Sequence, residues 1–182
     1  MTRPLLLALL ALTIAGCSSR ITYPADYPLL TSQFAFRNAP VQGRVPQGWF
    51  NSTEDTLTPT LSAWLLARDY SASISIREMQ LDLRTRTEVQ DEGLDLLARL
   101  SMTFRSAEKG GSFSEPESFT LGGKSFSSYE VVTPGKRARV VVFAAANRYF
   151  ECEAAPAAPT ATATDAQRLF RIQQAVVSSL NF

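Results

Sequence analysis

The sequence predicts an α+β domain in which one antiparallel β-sheet is flanked by helices on both faces, an α/β/α sandwich. Three observations carry this expectation. Residues 71–79 alternate with a period of two, so that Ala72, Ile74, Ile76 and Glu78 share one face of a strand. Segments 125–132, 139–145 and 149–154 also read as strands. Only Pro134-Gly135-Lys136 and Ala146-Asn147-Arg148 separate them, connections short enough for hairpins, which join antiparallel neighbours. Val140-Val141-Val142-Phe143 is apolar without interruption, the pattern of a strand covered on both sides.

The chain begins with an address. Arg3 supplies a positive charge, and the ten residues from Leu5 to Ile14 form an apolar run. A hydrocarbon core of ~30 Å takes about 20 residues to span, so this run reads as a secretion signal and not as an anchor. It ends in Ile14-Ala15-Gly16-Cys17, a branched apolar residue, two small residues and a cysteine. That segment resembles the lipobox of bacterial lipoproteins. The resemblance implies that the Cys17 sulfur takes a diacylglycerol, that the chain is cut before it, and that acyl chains such as palmitate hold the protein to a membrane. Ser18, a residue other than Asp, follows; in that family this favours the outer membrane, with the protein facing the periplasm. Residues 1–16 are thus predicted as the signal peptide, 17–44 as a lipidated tether and 45–182 as a single domain.

Cutting after residue 16 of 182 leaves 166 residues, enough for one core. The 18 Lys plus Arg and 17 Asp plus Glu become equal once Arg3 is lost, so the mature chain carries no net charge and no electrostatic footprint for nucleic acid. With Cys17 lipidated, Cys152 has no second cysteine with which to form an intrachain disulfide. Its neighbours in sequence include no cation, and it reads as a small buried hydrophobe.

Within the tether Tyr23, Tyr27, Leu29, Leu30, Phe34 and Phe36 are interleaved with Pro24, Pro28 and Pro40. Aromatic residues at that density pack, so the arm is predicted to lie on the domain, with a short strand at 33–37. Residues 45–50 form a short strand or turn carrying the pair Trp49-Phe50, and a polar loop runs from 51 to 60. Segments 61–68 and 71–79 then make a hairpin about Asp69-Tyr70-Ser71.

A charged linker at 82–87 carries Arg84 and Arg86. Thr87 and Gln90 match a capping box, and Leu94, Leu97, Leu100 or Ser101, and Phe104 recur at helical steps, predicting one amphipathic helix that ends before Gly110-Gly111. The polar stretch 112–123 is anchored by Phe113, Phe119 and Leu121, with a hairpin turn at Leu121-Gly122-Gly123-Lys124. After the three strands, an Ala/Pro/Thr linker at 154–164 leads to a second amphipathic helix, capped by Thr164 with Gln167 and striped by Leu169, Ile172, Gln173, Val176 and Leu180.

The order of these signals resembles bacterial secreted proteins of the PsbP-like superfamily, whose fold also includes the Ran-release-factor domain. The resemblance rests on Val45-Pro46-Gln47-Gly48-Trp49, on Asp69 through Ile74, on Val140 through Phe143 leading to Tyr149-Phe150-Glu151, and on Gln173 through Leu180. It implies an antiparallel sheet between helices and a binding or assembly role. The photosystem members use lysines and histidines at docking and metal sites; this chain has no His, and none of those sites is carried over.

Without His, Ser-His-Asp and Cys-His nucleophile systems and His-ligated zinc are unavailable. No EF-hand loop or phosphate loop stands in the sequence. The function predicted is a non-catalytic envelope lipoprotein with no cofactor and no metal, binding a partner protein or a small apolar ligand. The contact surface is predicted around Trp49, Phe50, Tyr70, Arg84 and Arg86, because aromatic residues and arginines supply most interface energy. A hydrolase using carboxylates such as Glu115 and Glu117 on an envelope polymer is the second reading.

Overall fold

The structure, a computed structural model, describes residues 23–55, 58–109, 111–158 and 163–182. In chain order its elements are β1 (Leu29–Ala35), β2 (Gln42–Pro46), β3 (Trp49–Asn51), a 3-10 turn (Thr53–Asp55), β4 (Leu61–Ala67) and β5 (Ala72–Met79). The helices α1 (Leu83–Glu92) and α2 (Leu94–Lys109) follow, then β6 (Ser112–Phe113), β7 (Glu117–Leu121), β8 (Lys124–Thr133), β9 (Lys136–Ala145), β10 (Arg148–Pro156) and α3 (Ala163–Ser178).

Strand β9 lies inside an antiparallel sheet of order β3-β4-β5-β10-β9-β8-β6, with β7 beside β8. Its uninterrupted apolar run has the predicted consequence: Val140, Val141, Val142 and Phe143 are all fully buried. Alternation sends them to opposite faces. Val140 and Val142 meet Val89, Leu97, Tyr129 and Tyr149 beneath α1 and α2. Val141 and Phe143 meet Ile74, Ile76, Phe150, Phe170 and Val176 beneath α3. Burying a side chain of this size contributes about 1.5–3 kcal/mol. The second face also carries a run of ring contacts, Phe36 to Phe150 at 5.1 Å, Phe150 to Phe143 at 5.4 Å, and Phe143 to Phe126 at 5.9 Å.

The aromatic arm packs more deeply than a tether would. Strands β1 and β2 pair with each other, and Tyr23, Phe34, Phe36 and Val41 belong to the core beneath α3. Gly43 shows how close the fit is, since a Cβ there would stand 2.5 Å from the Phe34 ring. The predicted boundary between residues 44 and 45 therefore falls inside β2, and the strand predicted at 33–37 is the longer Leu29–Ala35.

The single helix predicted from Thr87 is two. Asp82 caps α1, its carboxylate accepting from the Thr85 N–H at 2.7 Å, while Thr87 sits inside the helix and donates to the Leu83 carbonyl at 3.1 Å. An Asx cap one turn earlier satisfies the free N–H groups first. Gly93, at φ 86°, then breaks the helix, because its left-handed backbone cannot continue either helix. The stretch read as polar between 112 and 123 supplies edge strands β6 and β7, and Gly122 and Gly123, both at positive φ, make the predicted turn into β8. Helix α3 starts at Ala163, one residue ahead of the predicted cap Thr164.

Replacing Val142 with Asp sets an unpaired charge in the doubly covered strand and should lower unfolding free energy by about 4 kcal/mol or more in urea denaturation. Gly93→Ala should cost about 1–3 kcal/mol, because φ 86° with ψ −173° is backbone that essentially only Gly adopts.

Candidate functional site

The five residues predicted to share one contact surface fall at two ends of β5. Trp49 is 4% exposed and belongs to the core. Phe50 is half-buried and meets Tyr70 edge to face at 5.9 Å; Tyr70 is 67% exposed at φ 57° in the tight β4–β5 turn. Arg84 and Arg86 follow the far end of the eight-residue strand, which at ~3.3 Å per residue lies about 25 Å away. There Arg84 pairs with Glu88 at 2.9 Å on the α1 surface, and Arg86 Nε donates to the Leu81 carbonyl at 3.3 Å. The predicted surface is thus divided, and Trp49 is its buried part. Cys17 lies outside the described residues.

At the Trp49 end the fold leaves a half-open crevice of about 600 Å³ between the sheet and the first turns of α3. Its floor is apolar, from Trp49, Ala67, Ala166, Leu169 and Ile172, and its rim carries Tyr27, Arg68, Asp69 and Arg168. The rim is ordered by local bonds. Tyr27 OH donates to the Gln47 carbonyl at 3.0 Å, and Asp69 accepts from the Ser71 hydroxyl at 2.6 Å and the Ser71 N–H at 3.0 Å. The Ser71 hydroxyl, then the Ser71 N–H, hold the Asp69 carboxyl below the usual carboxylate range, with Arg168 adding in the same direction. An apolar floor with a charged rim on rigid elements can take a small ligand whose body is apolar and whose edge is polar.

A second polar cluster lies beneath α2. Ser101, on the stripe that periodicity marked as apolar, is buried with its Oγ 2.6 Å from Tyr129 OH, and it donates to Glu151 at 2.8 Å. Arg105 then bridges Glu151 at 2.7 Å and Glu153 at 2.9 Å. A serine hydroxyl beside a carboxylate has the outline of a nucleophile and its base, yet the same Glu151 carboxylate is already held by the Arg105 guanidinium. Burial works against the Arg105 charge, but Glu151 and Glu153 outweigh it and hold its pKa above the ordinary value. Burial pushes the Tyr129 phenol up to about 12, so it stays neutral. The two carboxylates converge on an arginine, and the cluster braces α2 against β10. Glu115, named for the hydrolase reading, pairs with Arg99 at 3.3 Å on the open surface, and Glu117 is exposed.

Cys152 is fully buried with Gln173, whose amide donates to the Cys152 carbonyl at 2.7 Å. Burial raises its thiol to about 12, against a smaller opposing effect of Gln173. Among the described residues no group of His, Cys, Asp and Glu could hold a metal ion, and no helix is long and apolar enough to cross a membrane.

No protein-family model matches the chain, and no curated relative does. Among solved structures the chain is similar to cyanobacterial PsbP (CyanoP) from Synechocystis, with a TM-score of 0.57 at 13% identity over 82% of this chain and 91% of that one. A protein from Bacteroides thetaiotaomicron gives a TM-score of 0.40 at 13% identity, over 82% and 47%. LpqN, involved in cell envelope biogenesis of Mycobacterium tuberculosis, gives 0.33 at 16% identity, over 86% and 81%. The chain has a PsbP-like fold.

The burial of Cys152 sets a measurable outcome. A maleimide reagent at pH 8 should leave it unmodified in the folded protein and alkylate it fully in 6 M guanidinium, a concentration chosen to be roughly above any ordinary unfolding midpoint. Rapid native labelling, read by peptide mass, would show the thiol to be accessible.

Proposed function

We propose that the protein is a lipid-anchored protein of the bacterial cell envelope that acts by binding and not by catalysis, with the crevice between the sheet and α3 as its ligand site. The observation that carries this reading is the crevice itself, an apolar floor of about 600 Å³ with a charged rim built on β3, β4, β5 and α3. The internal engagement of the candidate chemical groups supports it further. Ser101 is closed in by Tyr129 and Glu151, Glu151 and Glu153 are held by Arg105, and Cys152 is buried. The ligand that fits is small, with an apolar body and a polar edge. The Ile14-Ala15-Gly16-Cys17 segment supports anchoring through acyl chains on Cys17, and Ser18 supports the outer membrane, facing the periplasm. The aromatic pair Phe50 and Tyr70 stands close in sequence to the crevice residues Trp49 and Ser71 and is the surface on which a partner protein would rest.

Two experiments test the parts separately. Full-length protein should fractionate with membranes and gain the mass of several acyl chains, whereas Cys17→Ser should do neither; multiple chains are needed for stable attachment. A wild-type mature chain that is soluble and begins at another residue would remove the anchor. For the crevice, an anionic naphthalene fluorophore should bind the purified protein, and Ala72→Trp, which fills the half-buried wall, should weaken it by about tenfold or more with unfolding unchanged. Equal binding by the variant would exclude the crevice. Hydrolysis of peptidoglycan or lipid that disappears in Glu151→Gln would replace the binding reading with the hydrolase one.

A further inference from the structure

A smaller cavity of about 130 Å³ lies on the α3 side of the sheet, apart from the crevice, and the residue at its base is Arg139. The opening follows from sequence. Between β6 and β7 the run Ser114-Glu115-Pro116 leaves the edge of β8 incompletely paired, and Pro116 has no N–H to give to a ladder. Ser114 closes part of the gap, exchanging bonds with the Glu130 backbone.

Arg139 is 2% exposed, and no carboxylate lies within ion-pair distance of it among the described residues. Its Nη1 donates to Gln174 at 2.7 Å and, at 3.4 Å, to Gln173; its Nη2 donates to Ser128 Oγ at 3.2 Å. All three partners are neutral. The guanidinium also stands over the rings of Tyr23 at 4.9 Å and Phe119 at 5.4 Å. Burial lowers its pKa to about 10, which leaves it charged at neutral pH. Of the two carboxylates that line the cavity, Glu130 is already engaged by Arg137 and by Tyr23 OH at 2.8 Å. Other donors nearby lack acceptors. Gln174 Nε2 is buried and unpartnered, and Ser128 Oγ accepts from Arg139 while its own proton meets no acceptor among the described residues. A buried cation surrounded by surplus donors is costly to maintain unless an anion joins it.

We propose that this cavity binds a small monocarboxylate, its oxygens bridging the Arg139 guanidinium and the Ser128 hydroxyl. The volume decides the size: at about 30 Å³ per water it holds roughly four waters, or one carboxylate with a short substituent. Charge decides the valence, because Glu117 and Glu130 line the same cavity and repel a dianion such as sulfate more than a monoanion. A planar carboxylate also matches the guanidinium fork, which chloride does not. This site is independent of the crevice.

The test uses the full chain in detergent micelles, titrated with sodium formate and sodium acetate and followed by ¹H–¹⁵N spectra that include the arginine Nε–H signals. Saturable shifts of Arg139 Nε–H and of the Ser128 and Glu130 amides are expected with the carboxylates. Sodium chloride at matched ionic strength should give none, and sulfate should bind at least about tenfold more weakly. Ser128→Ala keeps the fold-forming backbone and should weaken formate by about threefold to tenfold. Arg139→Met should abolish the response and, having removed a buried charge, unfold at the same or a higher temperature without ligand. If Arg139→Met does not fold, the wild-type titrations and Ser128→Ala decide alone. No saturation by 100 mM formate, a concentration set roughly at the weak end of measurable binding, would overturn the proposal. Equal shifts with chloride, or sulfate binding as tightly as formate, would do the same.

Discussion

Everything in this fold answers to the double burial of β9. A strand with Val140, Val141, Val142 and Phe143 in succession offers no face to water, so each side must be covered by an element with an apolar stripe of its own. Helices α1 and α2 cover one side and α3 the other, and the aromatic arm completes the cover on the α3 side, Phe36 meeting Phe143 and Phe150. The crevice at Trp49 lies where the cover formed by α3 and the arm meets the end of the sheet.

The polar groups inside this sandwich follow a different logic on each face. Under α2 the buried charges are matched, with Arg105 held between Glu151 and Glu153 and Ser101 completing the network. Under α3 Arg139 is served by the neutral Gln173, Gln174 and Ser128. The first arrangement satisfies itself and fixes how α2 sits on β10. The second leaves the buried Gln174 Nε2 without an acceptor among the described residues.

Sheet and helix signals were legible wherever apolar periodicity was local. Residues 71–79 and the three strands from 124 to 156 were readable because alternation and short turns are contained in a few residues each, and so was the α3 stripe. The Asp82 cap was not, because Thr87 with Gln90 completes a capping box on paper whereas Asp82 caps alone, through the Thr85 N–H. Strands β6 and β7 escaped because polar edge strands have little apolar pattern to show. The density of aromatics between 23 and 36 did signal packing, though not that it would enter the main core. Site residues were less legible. Trp49 looked like an interface residue and lies in the floor of the crevice, while Arg139, Ser101 and Gln173 sat unmarked within apolar stripes, their partners being 11 to 50 residues away.

The depth at which Tyr23 is buried has a mechanical consequence. Its ring meets Phe170 edge to face at 5.4 Å and its hydroxyl holds Glu130 at 2.8 Å, so the chain is fastened to the domain from this residue onward. Six peptide steps separate Tyr23 from Cys17, and at no more than ~3.6 Å each the covalent leash from a lipidated Cys17 is about 20 Å at full stretch. Under the proposed lipidation of Cys17, a body fastened so near its mooring would not range far from the bilayer in search of partners. In that case a partner would have to come to within about one domain's breadth of the bilayer, and the side bearing Tyr23 and Phe170 would be the one the leash keeps turned toward the lipid.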